Sequence, residues 1–511
     1  MNPKPIQKIL VANRGEIATR VMRTCRDLGI PTVAVYSDPD RKALHVRYAT
    51  EAYHIGLALA KDSYLNIDKI IDVARRSGAD AIHPGYGFLS ENVDFAQAVL
   101  DAGLILIGPK PSSMRAMGSK TRARQVMKQA GVPVVPGLQE AVQDEFSALQ
   151  YAHEIGFPVM LKAAAGGGGK GMRKVECAAD FSSAFLAARS EAQNSFSDSA
   201  IYIEKFLHKP RHIEVQIFAD NHGHVASFVE RECSVQRRHQ KLIEESPSVF
   251  VDEGMRKKMG EIARLAARAV DYVGAGTIEF LVDAHHNFYF MEMNTRLQVE
   301  HPVTEMTTGL DLVEMQIRVA EGKKLKDLKV HSETIPANGW AIEARICAED
   351  PRQNFLPTPG IIRHFRQPSG PFVRTDTGIY AGTEVTADYD PMIAKVIAWG
   401  SDRLTAIRRL DRALSEVTVK GCSTNTMFLR QLLNFSEFIK GEYDTGMIEK
   451  HHQESPSWIE EEHKIVALLG AALFSFEREQ RLQTKVNVNL NGGASGAISK
   501  WRTVISPGVR F

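Results

Sequence analysis

The chain has 511 residues and a formal net charge of +2, and 44% of its residues are hydrophobic while 24% are charged. This length and ordinary composition predict a globular protein of two to four domains, and the balanced charge gives no reason to expect binding to nucleic acid or an anionic membrane. Five scattered cysteines without a CxxC pair argue against disulfides and zinc, and the lack of a signal-like N-terminus predicts a cytoplasmic protein.

The N-terminal part of the chain alternates short apolar segments with helical patterns. Strands are predicted at residues 8–12, 32–37, 81–84 and 104–108, and helices at residues 16–28 and 64–77. Such alternation indicates a parallel α/β sheet, in which ligands bind beyond the carboxyl ends of the strands. The polar segments Asn13–Glu16 and His83–Gly87 each follow one of these strands.

A glycine-rich segment follows. A helix predicted at residues 120–131 leads through a double-proline connector to an apolar run that ends at Lys162, and residues 166–169 are all glycine. The backbone N–H groups of such a loop can surround an oxyanion, and Lys162 and Lys170 add positive charge. A glycine run by itself is more often a flexible loop, and the P-loop pattern is absent. The phosphate interpretation therefore depends on a metal site nearby.

The segment Phe290–Glu305 carries the most chemical information in the sequence. Five polar residues occupy alternate positions in it: Glu292, Asn294, Arg296, Gln298 and Glu300. An extended chain would place all of them on one face, where they could form a site for a metal ion and an anion. The alternative is an amphipathic edge strand with a solvated charged face.

The residues just before this segment predict a β-hairpin. If its turn centres between His285 and His286, Glu279 lies opposite Glu292. Two carboxylates about 5 Å apart repel each other unless a cation lies between them. With Asn294 they predict a Mg²⁺ site, because this hard ion takes oxygen ligands and binds substrate phosphates.

The remaining segments extend the strand-rich pattern. Further strands are predicted at residues 200–207, 211–218, 277–282, 288–293, 340–346 and 392–399, and a further helix at residues 403–417. His212 and Gln216 in one of these strands could equally be polar residues of a sheet face that neighbouring groups satisfy. The residues after 444 suggest a polar linker, an apolar helix at 465–476 and an alternating strand, and we predict that this extension docks a partner protein.

Several uncommon segments together resemble the biotin carboxylase family. They are ANRGEIA at 12–18, HPGYGFLSEN at 83–92, EKFL at 204–207, RHIEVQIFAD at 211–220, RECSVQRRHQKLIEESP at 231–247 and EMNTRLQVEHPVTEM at 292–306, in addition to the glycine loop. The resemblance implies a mixed α/β and α+β fold with the three-domain biotin carboxylase architecture. The implied parts are an N-terminal parallel α/β (pre-ATP-grasp) domain at 1–118, an ATP-grasp domain with a mobile lid at 119–335, a C-terminal biotin carboxylase domain at 336–444 and an extension at 445–511.

The resemblance also implies roles for individual residues. The nucleotide contacts would be Lys120, Lys162, Gly168, Gly169, Glu204, Lys205, Leu207, His212, Gln236 and His239, with Glu279 and Glu292. The metal ligands would be Glu279, Glu292 and Asn294, in agreement with the hairpin argument. The catalytic and substrate contacts would be Lys241, Arg296, Gln298, the backbone at Val299, Arg345 and, as general base, Glu300.

The implied reaction is the carboxylation of biotin by bicarbonate through carboxyphosphate, with ATP and Mg²⁺ (or Mn²⁺), as the first half-reaction of an acetyl-CoA or acyl-CoA carboxylase. The sequence has no biotinyl motif around a lysine, so biotin should arrive on a separate biotin carboxyl carrier protein. The other expected partners are carboxyltransferase subunits and a second copy of the chain, as a homodimer. Two alternatives remain: another ATP-grasp ligase, such as a carbamoyl-phosphate-type enzyme, or a non-catalytic ATP-binding regulatory subunit.

Overall fold

The protein forms two compact units, Met1–Lys450 and His451–Phe511. The structure is a computed structural model that describes residues 5–137, 142, 144–163, 172–196, 199–238, 240–454, 465–466 and 468–476. Within these residues, no helix combines the length and the apolar character needed to cross a membrane.

The N-terminal part of the first unit contains five strands and five α-helices. These are β1 Ile9–Val11, α1 Gly15–Asp27, β2 Thr32–Ser37, α2 Leu44–Tyr48, β3 Glu51–Gly56, α3 Ile67–Ser77, β4 Ala81–His83, α4 Val93–Asp101, β5 Ile105–Leu106 and α5 Pro111–Met117. The strands form one parallel sheet, as the alternating pattern predicted, and their order is β3-β2-β1-β4-β5. Strand β3 was not predicted, because this edge strand buries only Ile55 and lacks an apolar run.

The next segment forms a small antiparallel sheet with three helices. Its elements are α6 Lys120–Gln129, α7 Glu145–Ile155, β6 Val159–Ala163, β7 Met172–Val175, α8 Ala178–Phe196 and β8 Ile201–Lys205. The strand order is β7-β6-β8, and Phe181 and Phe185 of α8 are buried in its core. The glycine loop between β6 and β7 lies outside the described residues.

The rest of the first unit is built around a ten-stranded sheet. Its elements are β9 Arg211–Ala219, β10 Val225–Phe228, β11 Arg231–Arg237, β12 Gln240–Ser246, α9 Glu253–Ala269, β13 Gly274–Val282, β14 Phe288–Asn294, α10 His301–Thr308, α11 Leu312–Ala320, β15 Thr334–Ile335, β16 Trp340–Cys347, β17 Glu349–Asp350, β18 Leu356–Pro357, β19 Gly360–Ile361, β20 His364–Arg366, β21 Val373–Thr377, β22 Glu384–Val385, β23 Met392–Gly400, α12 Arg403–Glu416, β24 Thr418–Lys420, α13 Thr426–Asn434, α14 Ser436–Lys440 and α15 Met447–Glu454. The main strand order is β14-β13-β9-β11-β12-β16-β23-β21. Because β12 pairs with β16, the sheet continues across the predicted domain boundary at residue 335.

Strands β13 and β14 form the predicted hairpin, and Glu279 pairs with Glu292. Nearer the turn the register differs from the prediction, because Val282 pairs with Phe288 and the turn therefore centres on His285. A β-bulge next to Glu279 shifts the register by one residue. The bulge thus restores the predicted pairing of the two carboxylates.

The prediction of one extended segment through Glu300 was wrong. Strand β14 ends at Asn294, and Glu300 is the residue immediately before α10. Pro302 lies in the first turn of α10, where the missing N–H of proline is tolerated, whereas a continuing strand would need that donor. The alternate polar residues therefore belong to a strand end followed by an irregular turn.

The second unit, which begins within α15, is described only in part. Residues 465–466 and 468–476 are helical, and their apolar side chains are exposed, among them Leu468 and Phe474. In the first unit, Met447 and Ile448 are buried, so the predicted boundary at residue 444 would separate two core residues from their neighbours. The strand predicted after the apolar helix lies outside the described residues.

Candidate functional site

Lys241 on β12 is the centre of a polar cluster on the large sheet. Its ammonium group donates hydrogen bonds to Glu214 on β9 at 2.6 Å, Glu279 on β13 at 2.9 Å and Glu300 before α10 at 2.6 Å. The three carboxylates are buried. The fold therefore brings the predicted residues 241, 279 and 300 together, and it adds Glu214, which was not predicted.

The charges in this cluster are strongly coupled. Burial opposes the charge on Lys241, but the three carboxylates outweigh it and raise the pKa of the lysine well above its usual value. Burial would raise the pKa of Glu300, but Lys241 and Arg345 lower it well below the ordinary range. The pKa of Glu279 is likewise low, because Lys241 and His212 outweigh its burial. At neutral pH the cluster therefore holds ionised groups of both signs.

Arg345 on β16 is the second cation that holds Glu300. Its Nη2 donates to Glu300 Oε2 at 2.8 Å and its Nε donates to Glu244 Oε1 at 2.6 Å. Burial raises the pKa of Glu244 to about 7, although Arg345 opposes the shift. Since Lys241 donates to the other oxygen of Glu300, the two cations together stabilise the ionised form of this carboxylate.

Arg231 on β11 is fully buried beneath the cluster and was not predicted. It donates to Glu214 at 2.5 Å, to Gln298 Oε1 at 2.8 Å and to Thr304 Oγ1 at 3.0 Å. Gln298 in turn donates to Glu279 at 2.7 Å. One signal was available, because an arginine at the start of a buried strand requires several acceptors.

The predicted metal ligands lie at the edge of this cluster. Glu279 and Glu292 are cross-strand partners, and Asn294 Nδ2 donates to Glu279 Oε1 at 2.8 Å. Among the described residues, ligand atoms of His212, Glu214 and Glu279 lie within 4.8 Å of one another. The possible ligand atoms in this group are mostly carboxylate oxygens, which Mg²⁺ and Mn²⁺ prefer.

Arg296 is positioned by the N-terminal part of the chain. Its Nε donates to Glu91 Oε2 at 2.9 Å, and its Nη2 donates to Asn294 Oδ1 at 2.9 Å. The backbone N–H of Thr295 donates to the same Glu91 carboxylate at 2.8 Å. Glu91 was not predicted as a site residue, although it lies in the HPGYGFLSEN segment. This contact joins the loop before α4 to the turn after β14.

The predicted nucleotide residues of the small sheet are also paired. Lys162 on β6 donates to Glu204 Oε2 at 2.6 Å, and Arg124 on α6 lies 2.5 Å from Glu204 Oε1. Lys205 donates to the carbonyl of Gly156 at 2.9 Å, so its ammonium group supports the end of α7. Any contact of Lys205 with a nucleotide would therefore use its backbone.

The other predicted residues are dispersed around the cluster. Lys120 begins α6, Leu207 follows β8, and Gln236 is the cross-strand partner of Lys241. The carbonyl of Val299 accepts a hydrogen bond from a buried lysine of β23. Three predicted residues lie outside the described part of the chain: Gly168, Gly169 and His239.

Three family models match the chain in succession. The biotin carboxylase N-terminal domain matches residues 5–114, the carbamoyl-phosphate synthase L chain ATP binding domain matches residues 119–328, and the biotin carboxylase C-terminal domain matches residues 343–450. In addition, biotin carboxylase 1 of Bacillus subtilis is 49% identical over 447 residues, which cover 87% of this chain and 99% of that protein. The chain belongs to the biotin carboxylase family. It is therefore an ATP-grasp ligase by family.

Other family relatives are longer. Mouse mitochondrial methylcrotonoyl-CoA carboxylase subunit alpha is 51% identical over 472 residues, which cover 92% of this chain. The chain spans 65% of the length of that subunit.

Solved structures of biotin carboxylases share the fold. The Campylobacter jejuni biotin carboxylase complex with β,γ-ATP is 47% identical, with a TM-score of 0.82 and coverage of 87% of this chain and 99% of that one. The biotin carboxylase domain dimer of Hydrogenobacter thermophilus 2-oxoglutarate carboxylase is 42% identical, with a TM-score of 0.82, and covers 89% of this chain and all of its own. The latter contains MgADP, ADP and bicarbonate.

Proposed function

We propose that this protein carboxylates biotin with bicarbonate in a reaction that consumes ATP and requires Mg²⁺, as the first half-reaction of an acetyl-CoA or other acyl-CoA carboxylase. One observation carries the proposal: the buried Glu300 carboxylate accepts hydrogen bonds from Lys241 at 2.6 Å and Arg345 at 2.8 Å. A carboxylate between two cations combines a general base with groups that bind an anion. The bicarbonate and nucleotides in structures of similar biotin carboxylases support this interpretation.

In the first step, bicarbonate binds against Arg296, Lys241 and the backbone at Val299. Glu300 takes the bicarbonate proton, a bicarbonate oxygen bonds to the γ-phosphorus of ATP, and the bond from that phosphorus to the β-phosphate oxygen breaks. The products are carboxyphosphate and ADP. The bound anion gives Lys241 a new partner and therefore weakens the hydrogen bond from Lys241 to Glu300. The pKa of Glu300 then rises, and the carboxylate becomes a better acceptor for the bicarbonate proton.

In the second step, carboxyphosphate breaks its carbon–oxygen bond and releases CO₂ and phosphate. The phosphate takes the proton from the ureido nitrogen of biotin, and that nitrogen forms a bond to the CO₂ carbon. Arg345 stabilises the negative charge that develops on the ureido oxygen. The arginine already lies beside Glu300, so it can move from the carboxylate to biotin without leaving the site.

The metal and the nucleotide use neighbouring groups. Glu279, Glu292 and Asn294 would hold Mg²⁺ or Mn²⁺, and the bound ion neutralises charge on the phosphate oxygens. Lys162 reaches the phosphates by releasing Glu204, which it contacts at 2.6 Å. The predicted phosphate residues 120, 168 and 169 complete the proposed nucleotide site, together with the adenine contacts at residues 204, 205 and 207.

Partner proteins complete the proposed reaction. A biotin carboxyl carrier protein presents biotin, carboxyltransferase subunits transfer the carboxyl group, and the dimeric state of the similar Hydrogenobacter domain supports a homodimer. Exposed apolar side chains at residues 465–476 support docking of a carboxyltransferase subunit by the extension. The match to the mouse carboxylase subunit covers 92% of the chain against 87% for the Bacillus enzyme, so the similarity to a carboxylase subunit extends further along this chain. A cytoplasmic location stays a prediction.

ATP cleavage by the purified chain tests the proposed function. We expect ADP formation that depends on bicarbonate and Mg²⁺ and rises when free biotin is added, with label from [¹⁴C]bicarbonate recovered in carboxybiotin. Stimulation by ammonia without an effect of biotin would favour the carbamoyl-phosphate-type ligase. ATP binding without turnover under all conditions would favour a regulatory subunit.

A further inference from the structure

Lys395 on β23 is a fully buried lysine that neither the predicted site nor the proposed reaction uses. Its side chain is 0% exposed, and its ammonium group donates a hydrogen bond to the carbonyl of Val299 at 2.6 Å. Burying an ammonium group is costly unless it is paired and hydrogen-bonded. The contact with Val299 therefore indicates that the lysine holds the backbone of this turn.

Carboxylates from different parts of the chain keep Lys395 charged. Glu16 at the start of α1 lies 3.3 Å from its ammonium group, and Asp376 on β21, which is its cross-strand partner, lies 4.0 Å away. Burial opposes the charge, but Glu16, Glu343 and Asp376 outweigh it and raise the pKa of the lysine. The shortest polar contact of the ammonium group is nevertheless the one with the Val299 carbonyl.

Lys395 and Arg345 form a matched pair on neighbouring strands. They are direct cross-strand partners, so their side chains leave the sheet on the same face. They contact consecutive residues, because Arg345 binds the side chain of Glu300 and Lys395 binds the backbone carbonyl of Val299. In the proposed reaction Arg345 leaves Glu300 for biotin, whereas Lys395 contacts the carbonyl of Val299, which neither gives nor takes a proton.

We propose that Lys395 is a positioning residue for the general base. It anchors the turn at Val299–Glu300 to β23, so that the base keeps its place while its side-chain partners change. This inference rests on the proposed role of Glu300 in proton transfer. A displacement of about 1 Å in a reacting group can lower the rate about 10²-fold, which sets the expected effect of losing the anchor.

The test compares Lys395→Met with Lys420→Met, which removes an exposed lysine of β24 in the same part of the fold. Hydrogen–deuterium exchange of the substrate-free full chain should be faster for the amides of residues 298–303 in K395M and unchanged in K420M. In steady-state kinetics, K395M should lower kcat for biotin-dependent ATP cleavage about 10²-fold, with the KM for ATP within about twofold of the unsubstituted chain. Lys395→Arg should restore most of kcat, because its guanidinium can still donate to the Val299 carbonyl.

Unchanged exchange at residues 298–303 in K395M would overturn the anchor. Hydrogen–deuterium exchange does not depend on turnover, so it tests the Lys395 contact separately from the proposed reaction. If the proposed reaction is wrong, the unsubstituted chain itself will be inactive. If K395M does not fold, the double variant E16Q/K395M takes the place of K395M in both measurements, because it also neutralises Glu16, the carboxylate that loses its ion-pair partner. Failure of both variants to fold, or an equal loss of ATP affinity and kcat, would assign Lys395 a structural role and overturn the proposal.

Discussion

Replacing Glu300 by glutamine keeps the size of the side chain but removes its charge and its capacity to accept a proton. We expect biotin-dependent ATP cleavage to fall by about 10²–10⁴-fold, the usual effect of losing a general base. This corresponds to about 3–5 kcal/mol of activation free energy. Nucleotide affinity should stay within about twofold, because Lys162 and Glu204 pair with each other on the small sheet.

The same substitution has a limited effect on stability. The glutamine amide keeps one acceptor oxygen, so either Lys241 or Arg345 loses a partner at position 300. Lys241 still has Glu214 and Glu279, and Arg345 still has Glu244. We therefore expect a loss of about 1–3 kcal/mol in the free energy of unfolding, the value of one or two hydrogen bonds to charged groups. Urea denaturation of the unsubstituted chain and the variant measures this difference.

Glu305→Gln is a matched control for the loss of a buried carboxylate. Glu305 lies in α10, is also buried, and accepts hydrogen bonds from Arg20 at 2.8 Å and Arg374 at 2.7 Å. We expect E305Q to lose similar stability and to keep its turnover. The assay is steady-state ADP formation with bicarbonate and biotin, with nucleotide affinity measured by calorimetry. Turnover within tenfold of normal in E300Q, or an equal loss in E305Q, would refute Glu300 as the base.

Three further predictions concern the metal, the pH dependence and the extension. Glu292→Gln should raise the Mg²⁺ concentration for half-maximal rate and lower kcat about 10²-fold, and normal turnover at ordinary Mg²⁺ would remove Glu292 from the metal site. Burial raises the pKa of Glu244 in the folded protein to about 7 from its usual 4.5. Between these two pH values the folded protein retains a proton that the unfolded chain releases, so the free energy of unfolding falls as the pH rises. In urea unfolding from about pH 5 to about pH 8, Glu244→Gln should flatten that decline, and an unchanged slope would contradict the raised pKa. Truncation after Glu454 should preserve carboxylation of free biotin and weaken recovery of a carboxyltransferase subunit in a pull-down, whereas equal recovery would argue against docking by residues 465–476.

The sequence alone was sufficient for the local elements and for the family. Apolar runs predicted the parallel N-terminal strands, and alternation predicted the hairpin. The pairing of Glu279 with Glu292 was also predicted, but a β-bulge produces it and not the predicted register of the turn. These features depend on neighbouring residues in the chain, whose periodicity decides which face of a strand is buried. The uncommon segments were likewise enough to identify the biotin carboxylase family, which the family models match over the same parts of the chain.

The arrangement of the site was decided by tertiary structure. The alternation through Glu300 predicted a longer strand, but the strand ends at Asn294 and the turn places Glu300 between Lys241 and Arg345. The neighbours of Arg231 and Lys395 in the chain do not indicate which residues are their partners, because those partners lie in other strands, helices and turns. A charged side chain can be buried only where the fold supplies enough acceptors, and those acceptors are distant in sequence. The residues that hold the base in place therefore become apparent only when the sheets are assembled.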